Sequence, residues 1–227
     1  TVAGTGLTEK VAKSMGIDCE SVVLSPDSHA GYYPGAKVMT MKVVFEKESL
    51  KLLGTQIVGS EGVDKRLDVL ATAIHCGMKA DMLKDLDLAY APPFSSAKDP
   101  VNMAGFMIEN ISKEMIKQYY WDDIKDLPRD GSVTLLDTRT AYEYKSGHID
   151  GYINIPVDDL RDQLNELDRS KPVYVICQSG LRSYIACRIL SQNGFDCYNF
   201  SGGYRFYASV IKEKEMSEYT YPCGMEK

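Results

Sequence analysis

The stretch CQSGLRS, residues 177–183, sets a thiol, a glycine and an arginine close together. An apolar run from Val173 to Ile176 leads into Cys177, and a helical pattern begins at Leu181. A thiol between a strand end and a helix start meets positive potential from the helix N-terminus and from inward-turned loop N–H groups. Arg182 adds a full charge, and Arg188 is a second candidate further along the same helix. That setting favours a thiolate over a thiol and would also hold an anion. Gly180 permits the tight turn that Gln178, Ser179, Gly180 and Leu181 must make. Read alone, Cys177 is more often a small core residue, as cysteines often are. The glycine and the arginine at their offsets favour the chemical reading.

The elements that must position this loop come from an ordinary globular composition. The chain has 227 residues, 44% of them hydrophobic and 26% charged, enough for one or two packed domains. A net charge of -6 argues against nucleic acid as a partner. No apolar run reaches the roughly 18 residues of a membrane span, and no targeting motif is visible. The six cysteines are scattered, with no C-x-x-C pair, which fits reduced thiols in a cytoplasmic protein. Of Cys19, Cys76, Cys187 and Cys197, most read as core thiols, and Cys223 reads as part of a loose tail. His75 and Cys76 lack further ligands at zinc spacing, so no metal site is expected. The chain opens on Thr1 inside a strand pattern, which predicts a fragment or a processed product.

The two halves differ in the order of their elements. In the first, Thr8 caps a short helix ending at Gly16, ESVVLSP is a strand, and AKVMTMKVVFE and LLGTQIVGS form an antiparallel hairpin. Alternation in the first hairpin strand predicts one face more apolar than the other. DKRLDVLATAIHCGM is a helix with a stripe of Leu67, Leu70, Ala71 and Ile74, and VNMAGFMIENISKEMI is another. Strands followed by helices make an α+β unit. In the second half, SVTLLDT, PVYVIC and DCYNF are strands. They alternate with helices over RTAYEYKSG, VDDLRDQLNEL and LRSYIACRILSQNG, which predicts a parallel sheet with crossovers. The fold class is therefore α/β overall, an α+β domain with an antiparallel sheet followed by an α/β domain. The expected division is residues 1–112, residues 118–212 and a tail over 213–227, with the boundary near Gln118.

VICQSGLRS resembles the active-site loop of rhodanese-type sulfurtransferases. LLDTRTAYEYKSGHIDGYINIP is similar to that family's first block, and SGGY to its last turn. The resemblance covers about residues 118 to 212. It implies that Cys177 carries sulfane sulfur as a persulfide, cradled by the loop of Gln178, Ser179, Gly180, Leu181 and Ser183. Arg182 would help to hold an anionic donor. The separation of Cys177 from Arg182 resembles the sulfur-handling members; the related phosphatases have a loop longer by one. Asp137, Arg139 and His148 of the first block are expected to be buried polar groups that pair and hold the scaffold.

In the first half, SHAGYYPGA and DLDLAYAPPFSSAKDPVN are loops rich in tyrosine, proline and glycine. On their own, Tyr32, Tyr33 and Tyr90 read as amphipathic packing residues at a surface or interface. The loops resemble the dimerisation domain of flavin- and NADH-dependent disulfide reductases, in the coenzyme A disulfide reductase branch. This second resemblance covers about residues 1 to 112. It implies a homodimer in which Tyr32 and Tyr90 reach the coenzyme A substrate in the partner's site, with Tyr33 the weaker match to the first position.

Together the resemblances imply part of a coenzyme A disulfide, persulfide or polysulfide reductase. FAD, NADH and coenzyme A are then cofactors or substrates of the full-length enzyme, with none bound by this chain alone. AGTG at residues 3–6 is too short for a dinucleotide fingerprint. The implied sulfur donors are polysulfide, coenzyme A persulfide or thiosulfate. The alternative is a non-catalytic rhodanese docking module on a dimerisation domain.

Overall fold

The computed structural model describes residues 1–217, with side chains to residue 212. Cys223 and most of the expected tail therefore lie outside the described residues. The first sheet comprises β1 (Val2–Gly6), β2 (Cys19–Leu24), β3 (Met39–Glu46) and β4 (Leu52–Gly59), all antiparallel in the order β1-β4-β3-β2. A six-residue helix α1 (Glu9–Ser14) is capped by Thr8, whose hydroxyl accepts from the Val11 N–H at 3.2 Å. Two longer helices, α2 (Val63–His75) and α3 (Pro100–Ser112), cover one face of the sheet.

β3 is more buried than alternation predicts. Val44 and Phe45 are both buried, on opposite faces of the strand. Phe45 joins the main core with Met39, Met41 and Val43, and Val44 packs on the opposite face with Ala12 of α1. The second face is buried there because α1 covers it. On α2 the buried stripe is Val63, Arg66, Leu70 and Ala73, with Leu67 and Ile74 only partly buried beside it. The expected stripe is rotated because a charged residue, Arg66, occupies a core position.

The second sheet is wholly parallel, in the order β5-β9-β8-β6-β7. Its strands are β5 (Lys117–Tyr119), β6 (Thr134–Asp137), β7 (Ile153–Asn154), β8 (Val173–Ile176) and β9 (Cys197–Phe200). Its helices are α4 (Ala141–Lys145), α5 (Leu181–Gln192) and α6 (Gly203–Ser217). An aliphatic cluster fills the α5 face, and an aromatic one around Tyr119, Tyr152 and Phe200 fills the other.

The helix expected over VDDLRDQLNEL does not form. Residues 157–167 are turns with one 3-10 segment at Leu164–Glu166. Its bonds run from Asp162 N–H to Asp159, from Gln163 to Leu160 and from Glu166 to Gln163, three residues back rather than four. Three aspartates in six positions are weak helix formers, and only Leu160 and Leu167 are buried as anchors.

The two halves touch. β2 is the edge of the first sheet, and its Val23 N–H donates to Ser201 Oγ at 3.0 Å. The Tyr120 hydroxyl donates to Glu20 Oε1 at 2.7 Å. Burial, then the Glu20 carboxylate, push the Tyr120 phenol up. An exposed edge thus finds its partner inside the chain. Among the described residues no helix is long and apolar enough to cross a membrane.

Candidate functional site

β8 lies between β9 and β6, and Cys177 follows it at the carboxyl end, where open α/β sheets place their sites. Gly180 closes the turn with φ +102°, a left-handed conformation that favours glycine, and starts α5. Its N–H donates to Cys177 Sγ at 3.1 Å. Ser183 Oγ, one turn into α5, lies 3.2 Å from the same sulfur and 3.1 Å from the Gly180 carbonyl. A hydroxyl has one proton, so Ser183 serves one acceptor at a time. Cys177 itself is 1% exposed.

The turn after β9 braces the loop from behind. Tyr204 N–H donates to the Cys177 carbonyl at 2.7 Å, and Arg205 N–H to the Gln178 carbonyl at 3.0 Å. A Cβ on Gly203 would stand 2.7 Å from Gln178 and Ser179 backbone atoms, so only glycine allows this approach. SGGY is thus a clamp. Ser179 and Leu181 are on the loop's outer side, Leu181 being 57% exposed.

Asp137 and Arg139 are buried and bind each other, with Arg139 Nη2 2.7 Å and Nε 3.0 Å from the carboxylate. Arg139 also donates to the Gly147 carbonyl at 2.8 Å and lies 3.8 Å from the centre of the Tyr204 ring. One pair thus joins the end of β6, the α4 stop and the clamp. His148 is the exception to the expectation: it is exposed and stacks on Tyr144 at 4.0 Å.

Arg182 has a partner that sequence reading missed. Its two terminal nitrogens donate to Glu143 at 2.7 and 2.6 Å. Glu143 also accepts from the Thr140 N–H and hydroxyl at 3.0 and 2.9 Å. Hydrogen bonds from Arg182, more than burial opposes, hold its carboxyl down at about 2. The signal was present as a capping box, Thr140 and Glu143 three residues apart. Arg188 adds no charge to the loop. It donates to the Met115 carbonyl, further down α5 from the sulfur.

In the first domain the structure brings Tyr32 and Tyr90 together, hydroxyl to hydroxyl at 3.0 Å. They are 77% and 48% exposed. The hydrogen bond between the two hydroxyls pushes the Tyr90 phenol up. Tyr33 turns away and meets His29 edge to face at 5.8 Å. The two tyrosine loops are joined by Arg66, which is 1% exposed. Its guanidinium donates to Asp99 Oδ2 at 2.9 Å, to the Ser28 carbonyl at 2.8 Å and to the Gly62 carbonyl at 3.1 Å. Asp99 in turn caps α3 through the Val101 N–H at 3.0 Å. Burial would raise the Asp99 carboxyl, but Ser95, the Val101 N–H and Arg66 outweigh it and hold it below its usual value. Nothing local in the sequence marks Arg66, because its partners lie 33 and 38 positions away.

The other thiols divide. Cys19, Cys187 and Cys197 are buried, whereas Cys76 is exposed. Burial pushes the Cys187 thiol well up. AGTG lies on β1, which pairs antiparallel with β4 and leads into a six-residue helix, not a strand–helix–parallel strand unit.

Residues 1–101 match the pyridine nucleotide-disulphide oxidoreductase dimerisation domain, and residues 121–209 the rhodanese-like domain. The fold is similar to reduced Bacillus anthracis CoADR-RHD, with 45% identity and a TM-score of 0.90 over 93% of this chain and 38% of that one. It is also similar to a NAD-dependent persulfide reductase from A. fulgidus, with 36% identity and a TM-score of 0.81 over 91% of this chain and 37% of that one. A coenzyme A disulfide reductase of Staphylococcus epidermidis is 40% identical over 106 residues, 47% of this chain and 24% of that protein. The chain thus spans about a quarter of the curated relatives' length. The chain matches two families in succession, the pyridine nucleotide-disulphide oxidoreductase dimerisation domain and then the rhodanese-like domain.

Proposed function

We propose that this chain is the sulfur-carrying and dimerising part of a FAD- and NADH-dependent coenzyme A disulfide or persulfide reductase. Cys177 takes sulfane sulfur as a persulfide. The observation that supports this is the convergence of the Gly180 N–H and the Ser183 hydroxyl on Cys177 Sγ. Donors fixed around a sulfur favour an anion there, before and after transfer. With thiosulfate as donor, the Cys177 thiolate attacks the outer sulfur and forms an S–S bond. The donor's own S–S bond breaks, and sulfite leaves with the electron pair. Polysulfide and coenzyme A persulfide donate by the same displacement, with a shorter polysulfide or a thiolate leaving. Arg182 steadies the anionic donor. Its pair with Glu143 uses two of five guanidinium N–H donors, so three are left for the incoming anion.

In the first domain, Tyr32 and Tyr90 form a hydroxyl pair that bonds the coenzyme A substrate in the partner's site of a homodimer. Their mutual contact and their exposure support that role. FAD and NADH act elsewhere in the full-length enzyme, and no step of theirs runs through these residues. A docking module is the second reading, favoured by the burial of Cys177 and the engagement of Arg182 by Glu143.

Intact mass after incubation with thiosulfate, and separately with polysulfide, at neutral pH decides between them. One added sulfur mapped to Cys177 supports the carrier. No gain on folded protein with either donor supports docking.

A further inference from the structure

A cleft of about 510 Å³ opens between the two domains, beside the Cys177 loop. Met103, Phe106 and Met107 of α3 form one wall, and Leu181 and Tyr184 of α5 the other. Among the polar residues of the lining are Ser25, Gln118 and Asn199. Ser25 Oγ, Gln118 Oε1 and Asn199 Oδ1 are all buried without a hydrogen-bond partner. Only Asp81 Oδ1 shares that condition among the described residues. Asn199 is 4% exposed, so water at the surface does not compensate it. Native proteins keep few such atoms, and three around one cleft fit a ligand that supplies their partners. At the rim stands Lys98, exposed, its ammonium 5.1 Å from the centre of the Phe106 ring. Among the described residues it makes no salt bridge.

We propose that this cleft binds an elongated organic anion whose apolar chain carries an amide or hydroxyl group. The chain lies along Met103, Phe106 and Met107, since methionine adapts to flexible aliphatic groups. The amide or hydroxyl meets Gln118 and Asn199. Their terminal torsions are broad, so each can turn a carbonyl or an NH2 to the ligand. The anionic end pairs with Lys98. A nucleotide or a bare inorganic anion would leave the apolar walls unused. Ser179, Gly180 and Leu181 also line the cleft, so an occupant touches the segment whose Gly180 N–H reaches Cys177 Sγ. The site stands whether or not Cys177 carries sulfur.

N-octanoylglycine supplies a chain, an amide and a carboxylate in that order, and octanoate lacks the amide. Each is titrated into the 227-residue chain, with binding followed by amide chemical shifts. Saturable one-site binding of octanoylglycine is expected, with shifts at Gly180, Leu181 and Met107. Octanoate should bind about fivefold more weakly, and Lys98→Glu should weaken octanoylglycine about tenfold. Asn199→Leu should erase the preference for the amide; Lys98→Glu, at an exposed position, keeps the test independent of folding. Lack of saturation overturns the proposal. So do equal affinities for both probes with indifference to Lys98→Glu, or shifts confined to the exposed Tyr32 and Phe94 loops.

Discussion

Each domain braces its loops with a buried arginine–aspartate pair, and the two pairs are built differently. Arg139 and Asp137 stand two positions apart on one strand end, and the pair reaches outward to the Gly147 carbonyl and the Tyr204 ring. Arg66 and Asp99 stand 33 positions apart and pull two helices and two loops together. The local pair serves a sulfur that is almost fully buried; the distant pair serves two exposed phenols. A sulfur held inside a turn needs short-range rigidity. A hydroxyl pair contributed by two separate loops needs a hub that crosses the chain.

The largest effect separates the two regions outright. Cys177→Ser should abolish sulfur uptake by intact mass, while Tyr32→Phe and Tyr90→Phe leave it unchanged; a loss in either phenylalanine variant would merge the regions into one site. Next come the hubs. Arg66→Ala and Arg139→Ala should each cost about 3–5 kcal/mol in urea denaturation, because each leaves a buried carboxylate uncompensated. Below the unfolding transition, Arg139→Ala should also lose sulfur uptake and Arg66→Ala should keep it. Tyr120→Phe comes third. It removes one hydrogen bond across the domain boundary and should cost about 1 kcal/mol in the same measurement.

The smallest effect belongs to Glu143, whose partly exposed pair with Arg182 contributes about 0–1 kcal/mol at neutral pH. Its carboxyl is held down at about 2, from an ordinary value of 4.5. A depressed folded value stabilises above the unfolded one and is lost as pH falls. The contribution is therefore present above about pH 4.5 and fades toward pH 2. Glu143→Gln should flatten the fall in melting temperature across that window; an unchanged slope would show that the ion pair does not form in solution.

Particular residues show how far the sequence could be read. Cys177, Gly180 and Ser183 were legible because one strand end, one turn and one helix start carry them all. Tyr32 and Tyr90 were matched by motif, and Tyr33 was set behind Tyr32 on the same ground. Arg188 was misplaced, since a position far along α5 cannot serve its N-terminus. The turns at 157–167 were misread as a helix. Their leucines have helical spacing, and the weak propensity of the aspartates among them decided the outcome. β5, with only Lys117–Tyr119, was too short to show a period.

By itself, the sequence determined what depends on near neighbours: the order of strands and helices along the chain, the thiol at a helix start, and the cap at Thr8. Only the tertiary structure decided what depends on distant partners. It put Arg66 in a core stripe, turned Arg182 onto Glu143, joined the Tyr32 and Tyr90 hydroxyls, and opened a cleft between the domains. The physical reason is range. Propensity and capping act within a turn or two of chain, whereas a buried charge is tolerated only where folding delivers its counterion.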